Sequence, residues 1–339
     1  MFRLFNLSIR KRKMKISKKL VQTLIAVAAM SSTWAYSQTI IRFAHYGPTS
    51  DPVHVGALKF KEVLEKESGG AYKVEIFPQE QLGKGADMII GTQVGSIDVS
   101  VTGNPFFGGV SPEQAALDIP FLFRTVDHAY RVIDGPLGRE LMDKFEARGL
   151  KGLAYWEIGF RNITNSVRPI RTPADLKGIK LRTTPNPMHI EAFKIWGANP
   201  TPMAISEVYL ALNTRTVDGQ ENPTVHISKL KFQEVQKYMS ITRHAFTAAP
   251  MVMNLAKFKA LTPQQQSMFI KAAKEGSIAE RQNNTSLEVE SLAAIRKAGV
   301  EVIENVNIEP FRAAAYEPVR KLYTDKFGGD ILAKIDALK

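Results

Sequence analysis

Two arginines, each near the end of a predicted strand, are the side chains of this sequence best suited to binding chemistry. Arg161 comes just after a strand at residues 153–157, and Arg182 ends a second strand that runs into a turn with two prolines. Open α/β sheets form their ligand crevices at strand ends. A guanidinium group offers a rigid fork of donors that matches a carboxylate, so the pair favours a site for an organic acid. Either arginine alone could instead be a solvated charge or a surface ion pair.

A polar segment at residues 216–223 (TVDGQENP) is a third candidate part of the same site. Its Asp-Gly pair predicts a turn. The side chains of Gln220, Glu221 and Asn222 precede a proline, which favours extended backbone. Such a segment can present an amide to a ligand, and a plain connecting loop is the alternative.

Other site chemistries find little support. There is no cysteine, and the six histidines form neither an HExxH motif nor a pair at ligand spacing, so no metal site is predicted. No GxSxG motif occurs, and the Ser228-x-x-Lys231 spacing lacks its companion motifs. Gly83 and Gly85 begin like a dinucleotide turn, but Met88 occupies the third glycine position. No catalytic residue and no cofactor is therefore expected.

Strands and helices alternate along the chain that must position these residues. Strands at 39–44, 72–77 and 96–102 are separated by helical segments, and a second run of the same kind follows from residue 153. This pattern predicts an α/β fold with mainly parallel sheet. A start signal at Thr262-Pro263 and periodic apolar residues up to Ile295 predict a helix of at least 25 residues. A helix that long could be shared by two lobes, which we expect to be joined by crossing strands.

The first 37 residues have the pattern of a signal peptide. Eight basic side chains and no acidic one precede the apolar run at residues 20–30. Small residues follow this run at Ala35 and Ser37. We expect cleavage after Ser37 and a periplasmic protein; an uncleaved membrane anchor is the alternative, and Met14 is an alternative start. The chain has 45 basic and 33 acidic residues, a net charge of +12, but only 37 basic residues lie beyond Ser37. The remaining net charge of +4 gives little support to a nucleic-acid partner.

Seven segments in this order resemble the DctP-type solute-binding proteins of TRAP (tripartite ATP-independent periplasmic) transporters. They cover essentially all of the chain beyond the signal peptide and are residues 43–45 (FAH), 77–83 (FPQEQLG), 117–123 (LDIPFLF), 160–165 (FRNITN), 175–182 (DLKGIKLR), 202–209 (PMAISEVY) and 217–223 (VDGQENP). The resemblance implies two α/β lobes, with an inter-lobe ligand cleft and a long helix spanning both. Lobe I is predicted at 38–160 plus 248–287, and lobe II with the C-terminal helices at 161–247 plus 288–339.

The resemblance also implies roles for individual residues. Arg182 matches the arginine that forms a salt bridge with the ligand carboxylate in this family. Arg161 matches a second arginine that supports the same carboxylate, and Asn222 matches an asparagine that forms a hydrogen bond with it. Glu221 and Gln220 would then support these three. The ligand is expected to close the lobes, and the closed form to dock on a membrane permease.

Specificity is expected to come from side chains facing the arginines. The predicted ligand-binding residues beyond the first three are His45, Glu80, Gln81, Asn104, Trp156, Ile205 and Phe246, with Tyr46 and His244 as further candidates. Ile205 stands where relatives often carry phenylalanine, which argues against an aromatic ligand. The polar groups favour a uronate or other sugar acid, captured by a monomer. The alternatives are an exported carboxylate-processing enzyme, a lyase or hydrolase using acids such as Glu80 and Glu157, and a cell-envelope interaction protein.

Overall fold

Two β-sheets with helices packed around them form the part of the chain that the computed structural model describes, residues 38–338. The predicted signal peptide, residues 1–37, lies outside the described residues. The strands are β1 (Thr39–His45), β2 (Tyr72–Phe77), β3 (Val99–Val101), β4 (Leu150–Phe160), β5 (Asn162–Asn165), β6 (Lys180–Thr183), β7 (Asn199–Pro202), β8 (Gly219–Asn222), β9 (Tyr238–Ser240), β10 (Phe246–Asn254) and β11 (Glu301–Ile303). The α-helices are α1 (Pro52–Glu67), α2 (Gly85–Val94), α3 (Val126–Ile133), α4 (Pro136–Asp143), α5 (Pro187–Ile195), α6 (Ile205–Asn213), α7 (Thr224–Lys229), α8 (Leu255–Lys259), α9 (Pro263–Lys297), α10 (Glu309–Phe327) and α11 (Asp330–Asp336).

The two sheets define two lobes, as predicted. The sheet of lobe I has the order β2-β1-β3-β10-β4, and the sheet of lobe II has the order β11-β9-β5-β8-β6-β7. β1 is parallel to β2 and β3, β6 is parallel to β7 and β8, and β9 is parallel to β11, but β10 and β5 are each antiparallel to both of their neighbours. The sheets are therefore mixed: within residues 38–338, five of the nine strand pairs are parallel, and the four antiparallel pairs all involve β10 or β5, the strands that follow the two crossings.

The lobes are joined by strands that run from one sheet into the other. β4 of lobe I ends at Phe160 and β5 of lobe II begins at Asn162, so Arg161 is the single residue between the two sheets. The return crossing runs from β9 to β10 over residues 241–245. Connections this short hold Arg161 at the boundary between the lobes and confirm the prediction of crossing strands.

The predicted long helix is α9, with 35 residues. Thr262 caps it, since the Thr262 hydroxyl accepts the Gln265 N–H at 3.3 Å and the Gln265 side chain accepts the Thr262 N–H at 2.9 Å. The helix packs on α1 and β4 of lobe I and on α7 of lobe II. None of the helices in residues 38–338, α9 included, combines the length and apolar composition needed to cross a membrane.

The elements of the structure can be compared with the predicted lobe boundaries. β10 begins at Phe246, two residues before the predicted lobe boundary at 248, and α9 runs unbroken through the boundary at 287. The C-terminal helices do not belong to lobe II alone, because α10 packs on α5 whereas α11 packs on α4, which precedes β4 of lobe I. Their apolar residues Phe311, Val319 and Ile335 join one buried cluster with residues of both lobes.

Two glycines let α1 and α9 approach closely over Trp156. A Cβ atom on Gly56 would lie 2.7 Å from the Trp156 ring and 2.8 Å from the Gly276 carbonyl oxygen. We predict that Gly56→Ala lowers the free energy of unfolding by about 1–3 kcal/mol, because the added methyl group overpacks the core. Urea unfolding measures this. Gly108→Ala is the matched control, since a Cβ atom there meets nothing within 4 Å; an equal effect of both variants would contradict the close approach.

Candidate functional site

A cavity between the two sheets contains both predicted arginines. Its atom-free space, with the open solvent at its mouth included, is about 410 Å³. Its lining residues come from both lobes and from the crossings, and are Tyr46, Thr102, Gly103, Pro105, Phe106, Ile158, Arg161, Arg182, Thr184, Ile205, Asn222, His226, Leu230 and Thr247. Four of the ten predicted ligand-binding residues therefore meet here, namely Arg161, Arg182, Asn222 and Ile205.

Arg182 is a buried cation without a carboxylate hydrogen-bonded to it. It lies on β6, is 1% exposed, and donates from Nε and Nη2 to the Met203 carbonyl oxygen at 3.2 and 2.7 Å. Its Nη1 atom is buried and has no hydrogen-bond partner among the described residues. Burial lowers the pKa of Arg182 to about 10, partly offset by the charge of Glu221. The guanidinium therefore stays charged at neutral pH, and an anion in the cavity would supply the acceptor that Nη1 lacks.

Arg161, by contrast, is neutralised by protein groups. It is also 1% exposed, and its Nε and Nη2 atoms donate to both carboxylate oxygens of Glu221. The Nη2 atom also donates to Asn222 Oδ1 at 3.1 Å, and Nη1 donates to Thr247 Oγ1 at 3.3 Å. Burial raises the pKa of Glu221, but Arg161 and a hydrogen bond from His244 outweigh burial and hold it well below its usual range. The Arg161–Glu221 pair therefore stays ionised and contributes no net charge.

Asn222 ends β8 beside this pair. Its Nδ2 atom donates to Gln220 Oε1 at 2.6 Å, and Gln220 Nε2 donates to Thr164 Oγ1 at 2.8 Å. The polar segment that the sequence singled out is thus a buried hydrogen-bonded chain on one strand and not a loop. Its three side chains hold Arg161 in place from the lobe II side.

Comparison with known proteins decides the family. Residues 43–326 match the family described as bacterial extracellular solute-binding protein, family 7 (DctP). The chain belongs to this family. The resemblance of the seven sequence segments is confirmed, and so is the two-lobed fold with a cleft.

Several relatives of this DctP-family chain are named for an organic acid or were solved with one bound. The chain is 39% identical to the 2,3-diketo-L-gulonate-binding periplasmic protein of Escherichia coli, over 96% of this chain and all of the relative. It is similar to a TRAP periplasmic solute-binding protein of Polaromonas, solved with bound D-erythronate, with 37% identity, a TM-score of 0.87 and coverage of 89% of this chain and 99% of the other. A sugar acid binding protein of Advenella mimigardefordensis in complex with galactonate has 34% identity, a TM-score of 0.85 and coverage of 89% and 98%.

The other predicted residues are not on the cavity wall. His45 is fully buried with its Nε2 atom 3.0 Å from His54 Nδ1, and burial lowers its pKa to about 3, so it is a neutral core histidine. Trp156 lies in the core of lobe I and donates to the Ala273 carbonyl oxygen at 3.0 Å.

Three more predicted residues do not line the cavity. Asn104 is buried and donates to the Gln114 carbonyl and to Asp118 Oδ2, at 2.8 and 2.7 Å. Phe246 packs edge-on against Phe123 and Phe160 in the core. Gln81 is exposed to solvent. For His45, which ends β1, the reason is that successive side chains of a strand point to opposite sides.

Glu80 lies near Arg182 but joins the lobes instead of lining the cavity. Its Oε1 atom accepts the Gly85 N–H at 2.9 Å at the start of α2 in lobe I. Its Oε2 atom accepts the Ser206 N–H at 3.3 Å and the Ser206 hydroxyl at the start of α6 in lobe II. One carboxylate thus caps two helices of different lobes, where the helix dipoles favour negative charge.

Several polar lining residues escaped the sequence analysis as site residues. Thr102 directly follows β3, Thr184 directly follows β6, and His226 lies in the first turn of α7, which follows Asn222-Pro223. The strand-end rule that selected the arginines applies equally to Thr102 and Thr184. A short polar side chain at such a position is common, so nothing in the sequence distinguished these threonines.

Replacing Glu80 should loosen the contact between the lobes. We predict that Glu80→Gln weakens acid binding about five- to twenty-fold, mainly through faster dissociation, because the neutral amide caps the two helix starts less well. Stopped-flow dissociation and calorimetry measure this. Gln81→Ala, at the exposed neighbour, is the control and should bind as the parent does. Unchanged dissociation in Glu80→Gln would show that this contact does not stabilise the closed lobes.

Proposed function

We propose that this chain is the periplasmic receptor of a TRAP transporter, which captures a sugar acid between its lobes and delivers it to the membrane permease. The observation that carries the proposal is the buried Arg182, which lines a cavity between the lobes and whose Nη1 atom has no acceptor among the described residues. Leaving a buried charge without a partner is costly, so the cavity favours an anion. Export by the predicted signal peptide, action as a monomer and the absence of a nucleic-acid partner belong to the same proposal.

The charges of the cavity favour a ligand with one carboxylate. Of the arginines on the wall, Arg161 is paired with Glu221, which leaves Arg182 as the cation that needs an anion. The lining has no lysine. A second carboxylate would therefore lose its water without gaining a cation. Hydroxyl groups of Thr102, Thr184 and Thr247 suit a hydroxylated chain or ring, and D-erythronate and galactonate, bound by two relatives, are acids of this kind.

The affinity expected of such a site is moderate. A hydrogen bond to a charged group contributes about 1.5–3 kcal/mol. Two such bonds to the carboxylate, with hydroxyl contacts, must offset the cost of ordering the ligand and closing the lobes. A dissociation constant near micromolar corresponds to roughly −8 kcal/mol, which this sum allows.

The positions of Glu80 and Glu157 do not support the alternative that the chain is an enzyme. Glu80 is occupied by the starts of α2 and α6, and Glu157 accepts the Tyr130 hydroxyl. Neither carboxylate lines the cavity. Binding without turnover is therefore our proposal for this chain.

Loss of Arg182 should abolish binding. We predict that D-erythronate, D-galactonate or D-galacturonate raises the melting temperature of the protein. We also predict that Arg182→Ala lowers the affinity for the same acid at least about 100-fold, because charge-assisted hydrogen bonds are lost. Calorimetry gives the affinities and circular dichroism checks the fold.

Arg168→Ala is the matched control for this experiment. Arg168 also lies in lobe II and donates to backbone carbonyl groups, of Asp175 and Lys177, but does not line the cavity. This variant should keep the affinity of the parent. A folded Arg182→Ala protein that binds the acid as well as the parent would remove Arg182 from the site. Steady loss of the acid on incubation with small amounts of protein would instead favour the enzyme.

A further inference from the structure

Two polar side chains on the cavity wall meet each other from opposite lobes. Tyr46 follows β1 of lobe I, and His226 lies on α7 of lobe II. The Tyr46 hydroxyl oxygen is 3.3 Å from His226 Nε2, and the two rings are packed edge to face. Both residues are buried. Together they form a polar contact that exists only where the two lobes face each other.

Asp51 fixes the orientation of the histidine from behind. This fully buried residue caps α1 by accepting the Val53 N–H at 3.0 Å through Oδ1, and its Oδ2 atom lies 2.7 Å from His226 Nδ1. Neither of these two atoms has a hydrogen-bond partner among the described residues, so the contact is close without being a hydrogen bond. A proton must nevertheless lie on Nδ1, because two lone pairs at this distance would repel. In the neutral ring, Nε2 is then an acceptor.

The Tyr46 hydroxyl complements this acceptor. Burial raises the pKa of Tyr46 well above its usual value, and the charges of Asp51, Glu280 and Glu157 add to the effect, so the phenol keeps its proton. It can donate to Nε2 and still accept a hydrogen bond. The buried Thr102 hydroxyl, also on the wall, has no hydrogen-bond partner among the described residues. This part of the wall thus offers acceptors and rotatable hydroxyl groups, and no fixed cation.

We propose that His226, oriented by Asp51 and paired with Tyr46, is the specificity-determining residue that selects acids with a hydroxyl group away from the carboxylate. A ligand hydroxyl can replace Tyr46 as the donor to Nε2 and accept the proton that the Tyr46 hydroxyl then turns toward it, which a methylene group cannot do. A second carboxylate finds no donor at Nε2 unless the imidazole gains a proton. The inference rests on the proposed function, because it assumes that Arg182 holds the carboxylate of the same ligand.

The test compares four-carbon acids that differ in their hydroxyl groups. D-Erythronate, butyrate and succinate are titrated calorimetrically into the parent and into His226→Ala, His226→Asn and Tyr46→Phe. His226→Asn keeps an N–H group near Asp51 but removes Nε2, so it tests the same idea if His226→Ala does not fold. His54→Ala is the matched control, a nearby histidine that contacts His45 and does not line the cavity.

The expected result concerns the ratio of affinities and not the affinity alone. The parent should bind D-erythronate most tightly, and both His226 variants should reduce its preference over butyrate about ten-fold or more, with a smaller reduction in Tyr46→Phe. His54→Ala should keep the preference of the parent. If His226 has a merely structural role, its variants will lower the affinities for both acids by the same factor, and this result would overturn the inference.

Two further outcomes separate this inference from the proposal on which it rests. Tighter binding of succinate than of D-erythronate by the parent would overturn the inference and leave the acid receptor intact, since His226 would then bind a carboxylate as a cation. A parent protein that binds none of these acids, nor D-galactonate or D-galacturonate, would contradict the receptor function itself and the inference with it.

Discussion

The buried charge of Arg182 is the constraint on which the rest of the site depends. A guanidinium that is 1% exposed is stable only when its donors are satisfied, yet the protein supplies one carbonyl oxygen, that of Met203, for two of its three nitrogens. The third nitrogen has no acceptor among the described residues, and Arg182 lines the cavity. In the proposed function an anionic ligand would complete this group, and the free energy gained on completing it would be available to hold the lobes together.

The second arginine shows how the same side chain can serve a different purpose. Arg161 is the one residue between β4 and β5, where the chain passes from one sheet to the other. Glu221, Asn222 and Thr247 occupy its donors, so it makes the crossing a rigid polar junction. Because this junction carries no net charge, the cavity presents the charge of Arg182 to the ligand. Glu80 and the Asp51–His226 contact then join the lobes on either side of that cavity.

The sequence predicted the architecture more fully than the cavity wall. Periodicity and the Thr262 cap were sufficient for the two lobes and the long helix, and the strand-end rule selected two arginines that line the cavity between the lobes. The prediction failed where side-chain direction matters. His45 ends β1 and Tyr46 follows it directly, but the former turns into the core and the latter into the cavity. Trp156 was equally ambiguous, because a large aromatic residue fits a ligand site and a helix crossing alike. Trp156 lies in the core because α1 and α9 approach closely over it at Gly56 and Gly276. These two glycines are 220 residues apart in sequence, so no local pattern reveals that they meet.

The central claim is that the cavity binds a negative charge, and the most direct measurement removes only that charge from the ligand. Calorimetry with D-erythronate and erythritol, and with D-galactonate and galactitol, compares acids with alditols of the same carbon number. The account predicts that an acid of this set binds at least about 100-fold more tightly than its alditol, because two charge-assisted hydrogen bonds are lost with the carboxylate. An alditol that binds as tightly as its acid would contradict the account.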